Sequence, residues 1–219
     1  MSTTGAVTLR SDAARNREAL VAAARATFGQ RGLDAPLDDI ARTAGTGNAT
    51  LYRHFPTRCD LVAAVFADTL REVVDACARA MANPDPWEAF RGHVTFLCEL
   101  QANDRGLADL LTARVTGAPA LERLRERAHQ GLRLIAERAK ASGALRPDFE
   151  PEDLALLLMA NAGLIHRTAA RAPIAWRRHL GYVLDGLHRG AARTEAPPSP
   201  GLRAVRLAMV DQAAQFGCR

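Results

Sequence analysis

The chain has 219 residues, 48% of them hydrophobic, and a formal charge of +5, so it holds enough apolar material for one or two well-packed domains. Eleven prolines and 16 glycines are too few for a disordered polymer, and the scattered Cys59, Cys77, Cys98 and Cys218 form no CxxC pair. That spacing argues against a disulfide framework or a metal cluster, and for a reduced, cytoplasmic setting.

The N-terminus is polar and leads into no apolar h-region, so no secretory signal is expected. A first amphipathic helix is predicted over Ser11–Arg31, with Leu20, Val21, Ala24 and Phe28 at helical spacing. A second follows over Asp38–Ala44, with Leu37, Ile40, Ala41 and Ala44 on one face. Gly45 ends it, since glycine takes the left-handed conformation without a Cβ penalty, and Asn48 is placed to cap the next helix. That third helix is short and carries Thr50, Tyr52, Arg53 and His54 where a core helix would place aliphatics. Leu51 and Phe55, four apart, are its only apolar stripe and anchor it. A short anchored helix with outward polar groups is what reading a DNA major groove requires, so the segment reads as a helix-turn-helix.

On these residues the chain resembles the TetR family of bacterial transcriptional regulators. The resemblance runs from Arg15 to Leu61. It rests on a late phenylalanine in the first helix, then Gly32-Leu33, Asp39-Ile40-Ala41, Ala44-Gly45 and Thr50-Leu51-Tyr52-Arg53-His54-Phe55. There are two departures. Pro36 and Leu37 stand where the family has a phosphate-touching Ser or Thr, and Thr46-Gly47 replaces its valine and small polar residue in the turn.

Chemistry assigns roles within the motif. Arg53 and Asn48 are candidates for base reading, because guanidinium grips guanine and carboxamide grips adenine bidentately, and Thr50 can set its methyl against thymine. The resemblance implies phosphate contacts for Tyr52, His54 and Arg58, which set register without reading sequence. Residues 1–58 hold eight arginines against five carboxylates, and the remainder is nearly balanced. The excess positive charge thus sits in the motif, as nucleic-acid binding favours.

Beyond the motif the pattern is all helical. Helices are predicted over Asp60–Met81, Trp87–Gln101, Arg105–Val115, Pro119–Ser142, Pro151–Arg171 and Pro173–Arg193, with breaks at Asn83-Pro84-Asp85-Pro86, Gly143 and Pro173. A proline-rich linker, Glu195–Gly201, leads to a last amphipathic helix bearing Leu202, Val205, Met209, Val210, Ala213 and Phe216. The expected organisation is a DNA-binding domain over 1–58, a helical ligand-binding and dimerisation domain over 59–193, and a linker with its helix over 194–219. The longest apolar run, Leu154 to Ala160, is far short of the ~20 residues that span a bilayer.

The Leu154–Ile165 stretch is apolar all round and needs cover on more than one side. A second copy is the economical cover, with Leu180, Val183, Leu184 and Leu187 as a neighbouring stripe. The resemblance likewise implies a dimer built from the last two large helices, and a palindromic DNA operator suits two short reading helices. A small-molecule effector would occupy an apolar pocket with a few placed polar groups. Its candidate lining is Phe66, Trp87, Phe90, His93, Phe96 and Arg114, joined by Asn161 and His166. Asn161 is also open to a role at the dimer interface or on a neighbouring carbonyl. No phosphate-cradling glycine loop, GxSxG or HExxH occurs, so neither an enzyme nor a bound cofactor or metal is expected. The expectation is a homodimeric repressor released from DNA by a small apolar ligand. The alternative is a ligand-independent DNA-binding regulator or chromosome-organising protein.

Overall fold

The structure, a computed structural model, describes residues 4–191, 194 and 196–218. Among the described residues ten helices succeed one another, and the only extended pairing there is a single bridge between Leu145 and His188. The fold is all-α, with a small helix-turn-helix domain followed by a larger helical one.

Helix α1 (Thr4–Arg31) starts before the predicted Ser11. It buries Leu20, Ala24 and Phe28, one turn apart along a single stripe. Gly32 ends it at φ +92°, and a Cβ there would meet the Asp109 carboxylate at 2.6 Å. Helix α2 (Leu37–Thr43) and helix α3 (Asn48–His54) are joined through Gly45 at φ +68°, as the turn chemistry predicts. Helix α4 (Arg58–Ala82) opens on a complete capping box. The Thr57 hydroxyl accepts from the Asp60 backbone N–H, and the Asp60 carboxylate accepts from the Thr57 N–H.

Helix α5 (Pro86–Asn103) is capped by Asp85 and helix α6 (Arg105–Thr112) by Asp104. Helix α7 (Pro119–Ala141) lies along α4, which it meets more extensively than any other pair of helices meets. Their close approach needs Gly131, where a Cβ would stand 2.6 Å from the Cys77 Cβ. Helix α8 is shorter than predicted (Asp153–Thr168): Pro151 sits in a turn, and Asp153 accepts from the Glu150 N–H. Helix α9 (Ala175–Leu187) stops early because His188 turns extended and pairs with the 144–146 loop. The expected end at Arg193 lies outside the described residues. Helix α10 (Gly201–Gln215) completes the chain.

Two apolar clusters result. One joins α1, α2, α3 and the first half of α4 to Leu107 and Leu110 of α6. It also takes in Ala213, Phe216 and Cys218 at the end of α10. The other joins the second half of α4 to α5, α7, α8 and α9. Helix α4 contributes to both clusters, its first half to one and its second half to the other. No described helix is long and apolar enough to cross a membrane.

Candidate DNA-reading face and effector cavity

Helix α3 rests on Leu51, which is 1% exposed, and on Phe55 just past its end, at 2%. Arg17 of α1 lies over the Phe55 ring at 5.2 Å, a cation–π contact that helps hold the anchor. Tyr52 is 49% exposed, unusual for an aromatic side chain, and Arg53 is exposed beside it. Thr50 and His54 are half-buried at the edges of the same surface.

Two motif residues are also engaged within the protein, and one expectation for the turn fails. Asn48 is the first residue of α3 and not its cap; Gly47 holds the cap position without any side-chain bond. The exposed Asn48 amide instead donates to the Asp38 carboxylate at 2.8 Å, tying α3 to α2. Arg58 is half-buried and donates to the carbonyls of Leu33 (2.8 Å) and Ala35 (2.7 Å). It clamps the loop before α2 onto the start of α4. The cap position of α2 holds Pro36 with no side-chain hydrogen bond, in keeping with the missing hydroxyl. Asp39 accepts from both Arg31 and Arg42 at 2.6 Å, and these bonds, led by Arg31, hold its carboxyl below the usual range.

In the larger domain a cavity of about 170 Å³ opens between α4, α5, α6, α7, α8 and α10. Its apolar wall includes Leu70 and Val73 of α4, Leu132 of α7, Leu158 of α8, and Val205 and Met209 of α10. Its polar groups include His93, Arg114, Glu122 and Arg125. His93 and Arg114 therefore line it as the sequence suggested, and the other candidates do not. Phe66 is buried in the helix-turn-helix core, stacked against Phe28 at 6.4 Å. Phe90 is fully buried edge-on to Phe149, and Trp87 packs edge-on to His188 at 4.7 Å. Phe96 is half-buried beside His93 and is not among the lining groups. Asn161 donates to the Gln101 side chain at 2.9 Å, and Gln101 donates on to the Leu158 carbonyl. The Asn161 amide nitrogen is thus served inside the protein, while its buried Oδ1 has no partner among the described residues. His166 is exposed and borders a separate cleft of about 780 Å³ between the end of α1, α6 and α8.

Three buried polar atoms of the cavity's lining residues have no protein partner: His93 Nδ1, Glu122 Oε1 and Arg125 Nε. The other Glu122 oxygen accepts from Arg114 at 2.8 Å, and Arg125 spends one terminal nitrogen on the Leu110 carbonyl. Burial, helped by the charge of Arg79, pushes the His93 imidazole down to about 4, so it is neutral at physiological pH. Burial likewise pushes the adjacent Cys77 thiol up to about 11. Sequence reasoning missed Glu122 and Arg125. Their only signal was their spacing, three apart on one helix face, which salt-bridged surface helices share.

The predicted dimer stripe turns inward in part. Leu180 and Leu184 are 4% and 7% exposed and pack with Trp176 into the protomer's own core, while Val183 and Leu187 are half-buried. The outward face instead presents Leu156, Ala160 and Gly163 on α8 and Gly181 and Tyr182 on α9, beside the exposed Arg178, His179 and Asp185.

Comparison with known proteins agrees with this architecture. Residues 20–65 match the model of bacterial regulatory proteins of the tetR family, and residues 85–189 match that of the transcriptional regulator SbtR-like C-terminal domain. The HTH-type transcriptional repressor BepR of Brucella suis is 27% identical over 167 residues, which span 70% of this chain and 80% of that protein. A TetR transcription regulatory protein from Mycobacterium vanbaalenii is 32% identical, with 82% of this chain and 99% of that one covered and a TM-score of 0.47. A TetR-family regulator from Agrobacterium tumefaciens shares the fold more closely, at a TM-score of 0.58 and 20% identity, over 80% of this chain and 99% of its own.

Proposed function

Since the chain belongs to the TetR family of DNA-binding transcriptional regulators, we propose that it acts as a homodimeric repressor released from a palindromic operator by a small, largely apolar molecule. The observation that carries the DNA half is the exposed Tyr52–Arg53 surface on a helix anchored by Leu51 and Phe55. Arg53 reads a base, Thr50 and Asn48 flank it, and Tyr52 and His54 meet phosphates. Asn48 reaches DNA by exchanging its Asp38 partner for a base edge. Arg58 supports the interface chiefly by fixing the approach to α2.

Pairing of two copies through the outward faces of α8 and α9 supports the dimer. Small residues at Ala160, Gly163 and Gly181 let helices approach closely, and Tyr182 supplies an apolar body. Two recognition helices then meet major grooves about one turn or more apart. The cavity supports the ligand half, because Leu70 and Val73 on its wall stand on the same helix that starts at Arg58. A ligand releases DNA only if it favours the arrangement that fits DNA less well. Pressing α4 outward changes the spacing of the recognition helices.

The test is footprinting of the purified protein on DNA upstream of its own and adjacent genes, with release assayed against apolar and aromatic metabolites. A protected palindrome is expected. Absence of any protected site overturns the repressor reading, and binding that no small molecule relieves favours the ligand-independent alternative.

A further inference from the structure

The cavity's polar atoms are specific about what they lack, and this bears on the chemistry of the effector. The Cys77 sulfur lies 3.7 Å from both the Ala128 carbonyl and His93 Nε2. A neutral thiol directs its proton to the carbonyl, so the sulfur accepts from Nε2–H. That assignment leaves His93 Nδ1 as a bare acceptor. Glu122 Oε1 is a second bare acceptor, and Arg125 Nε–H is an unused donor. Leaving such groups buried and unmatched is costly.

Along α7, Ala128, to which the Cys77–His93 pair is tied, stands one turn beyond Arg125 and two beyond Glu122. The positions that carry or adjoin these groups are thus spread over roughly 5–9 Å of helix axis, about the breadth of a six-membered ring with its substituents. The volume agrees: about 170 Å³ compares with the engineered cavity of about 150 Å³ that takes up benzene.

We infer that the effector is a neutral single-ring compound with hydroxyl groups on opposite sides. One hydroxyl donates to Glu122 Oε1 and accepts from Arg125 Nε–H, and another donates to His93 Nδ1. Leu70, Val73, Leu158 and Val205 enclose the ring. A carboxylate fits poorly, because two of the three waiting atoms are acceptors and it has no proton to give them. This inference rests on the ligand-responsive reading above and narrows it.

The test is isothermal titration of the intact protein with hydroquinone under anaerobic conditions, phenol, toluene and benzoate, alongside operator release in the same preparation. Hydroquinone should bind about tenfold or more tighter than toluene or benzoate, with phenol between, because a site built to hydrogen-bond a hydroxyl rejects analogues that lack it. Glu122→Gln and His93→Leu should each weaken hydroquinone by about tenfold and leave toluene little changed. Benzoate or toluene binding as tightly as hydroquinone overturns the inference, and so does the failure of hydroquinone and phenol to bind at millimolar concentration. Because the ligand series is read on the unsubstituted protein, a variant that folds poorly does not blur the result. Hydroquinone binding without operator release retains the hydroxyl chemistry and sinks the ligand-responsive reading. Release by a compound lacking hydroxyls does the reverse.

Discussion

Gly131→Ala, set against Gly92→Ala, separates helix propensity from helix packing in one experiment. Both glycines lie inside long helices, α7 and α5, where alanine is favoured by about 1 kcal/mol. At Gly92 a new Cβ meets nothing within 4 Å, so Gly92→Ala should stabilise the protein by roughly that amount. At Gly131 the Cβ would stand 2.6 Å from the Cys77 Cβ and 2.7 Å from its sulfur. The sulfur can rotate away, but the Cβ is fixed to the α4 backbone, so α7 and α4 must move apart. Overpacking of this kind costs about 1–3 kcal/mol. Set against the propensity gain, Gly131→Ala should be destabilising by up to about 2 kcal/mol and should fall about 1–3 kcal/mol below Gly92→Ala. Urea unfolding followed by far-ultraviolet circular dichroism measures both midpoints. Adding Cys77→Gly to Gly131→Ala removes the colliding atoms, and the double-mutant cycle should return most of the packing cost. Equal shifts in the same direction for the two alanine variants would refute the idea that α4 and α7 depend on that missing side chain. Because Cys77 stands in the half of α4 beyond the cavity wall, Gly131→Ala should also weaken operator binding with the α3 surface untouched.

Arg53→Ala should cost ~1–3 kcal/mol of operator affinity and relax specificity at one position per half-site, whereas Tyr52→Phe should weaken binding to all sequences alike and lower the salt dependence seen in gel shifts. Ala160→Glu, on the outward face of α8, should give a folded monomer by light scattering. Leu184→Asp should unfold the protomer instead, since it buries an unpaired charge in the core; a folded dimer carrying Ala160→Glu would move the interface elsewhere. The depressed His93 value means that the unfolded chain binds the extra proton, so stability is full above the ordinary histidine value of 6.5 and falls as pH drops through about 4. The loss should approach about 3 kcal/mol, and His93→Leu should flatten that part of the pH profile in thermal melts; an unchanged slope would contradict burial of the neutral ring. Removing α10 from Gly201 onward should lower the melting temperature and weaken operator binding together, and a deletion that leaves both intact would contradict its place in the first core.

The helix-turn-helix was legible because its signals are local. Gly45 must take positive φ, and Leu51 and Phe55 mark the buried side of an otherwise polar helix, so neighbours in sequence suffice to identify it. The larger domain was legible as helices but not as surfaces. Leu180 and Leu184 read correctly as one apolar stripe, yet nothing within α9 says whether that stripe meets Trp176 beneath it or a second copy outside. Asn161 stood out as a polar group on an apolar helix, but its partner Gln101 lies 60 residues away, beyond any periodicity. Arg58 was legible as a cation and not as a clamp, because the two carbonyls it binds are presented by a loop 23 and 25 residues earlier. The candidate effector cavity drew its walls from six helices, and the aromatics favoured by composition proved to be packing within the two cores.

Helix α10 gives the order of synthesis a meaning. The DNA-reading segment leaves the ribosome first, as N-terminal domains do, yet its apolar core is closed by Ala213, Phe216 and Cys218. At roughly 5–20 residues per second, the nascent reading domain waits about 7–30 seconds for the side chains that complete it. During that interval the second domain is made and can pack, with its cavity walled last by Val205 and Met209. A chain cut short by a premature stop codon therefore carries an unfinished reading domain as well as an open cavity. On the repressor reading proposed above, such a fragment is a poor occupant of the operator and does not compete with intact copies for it.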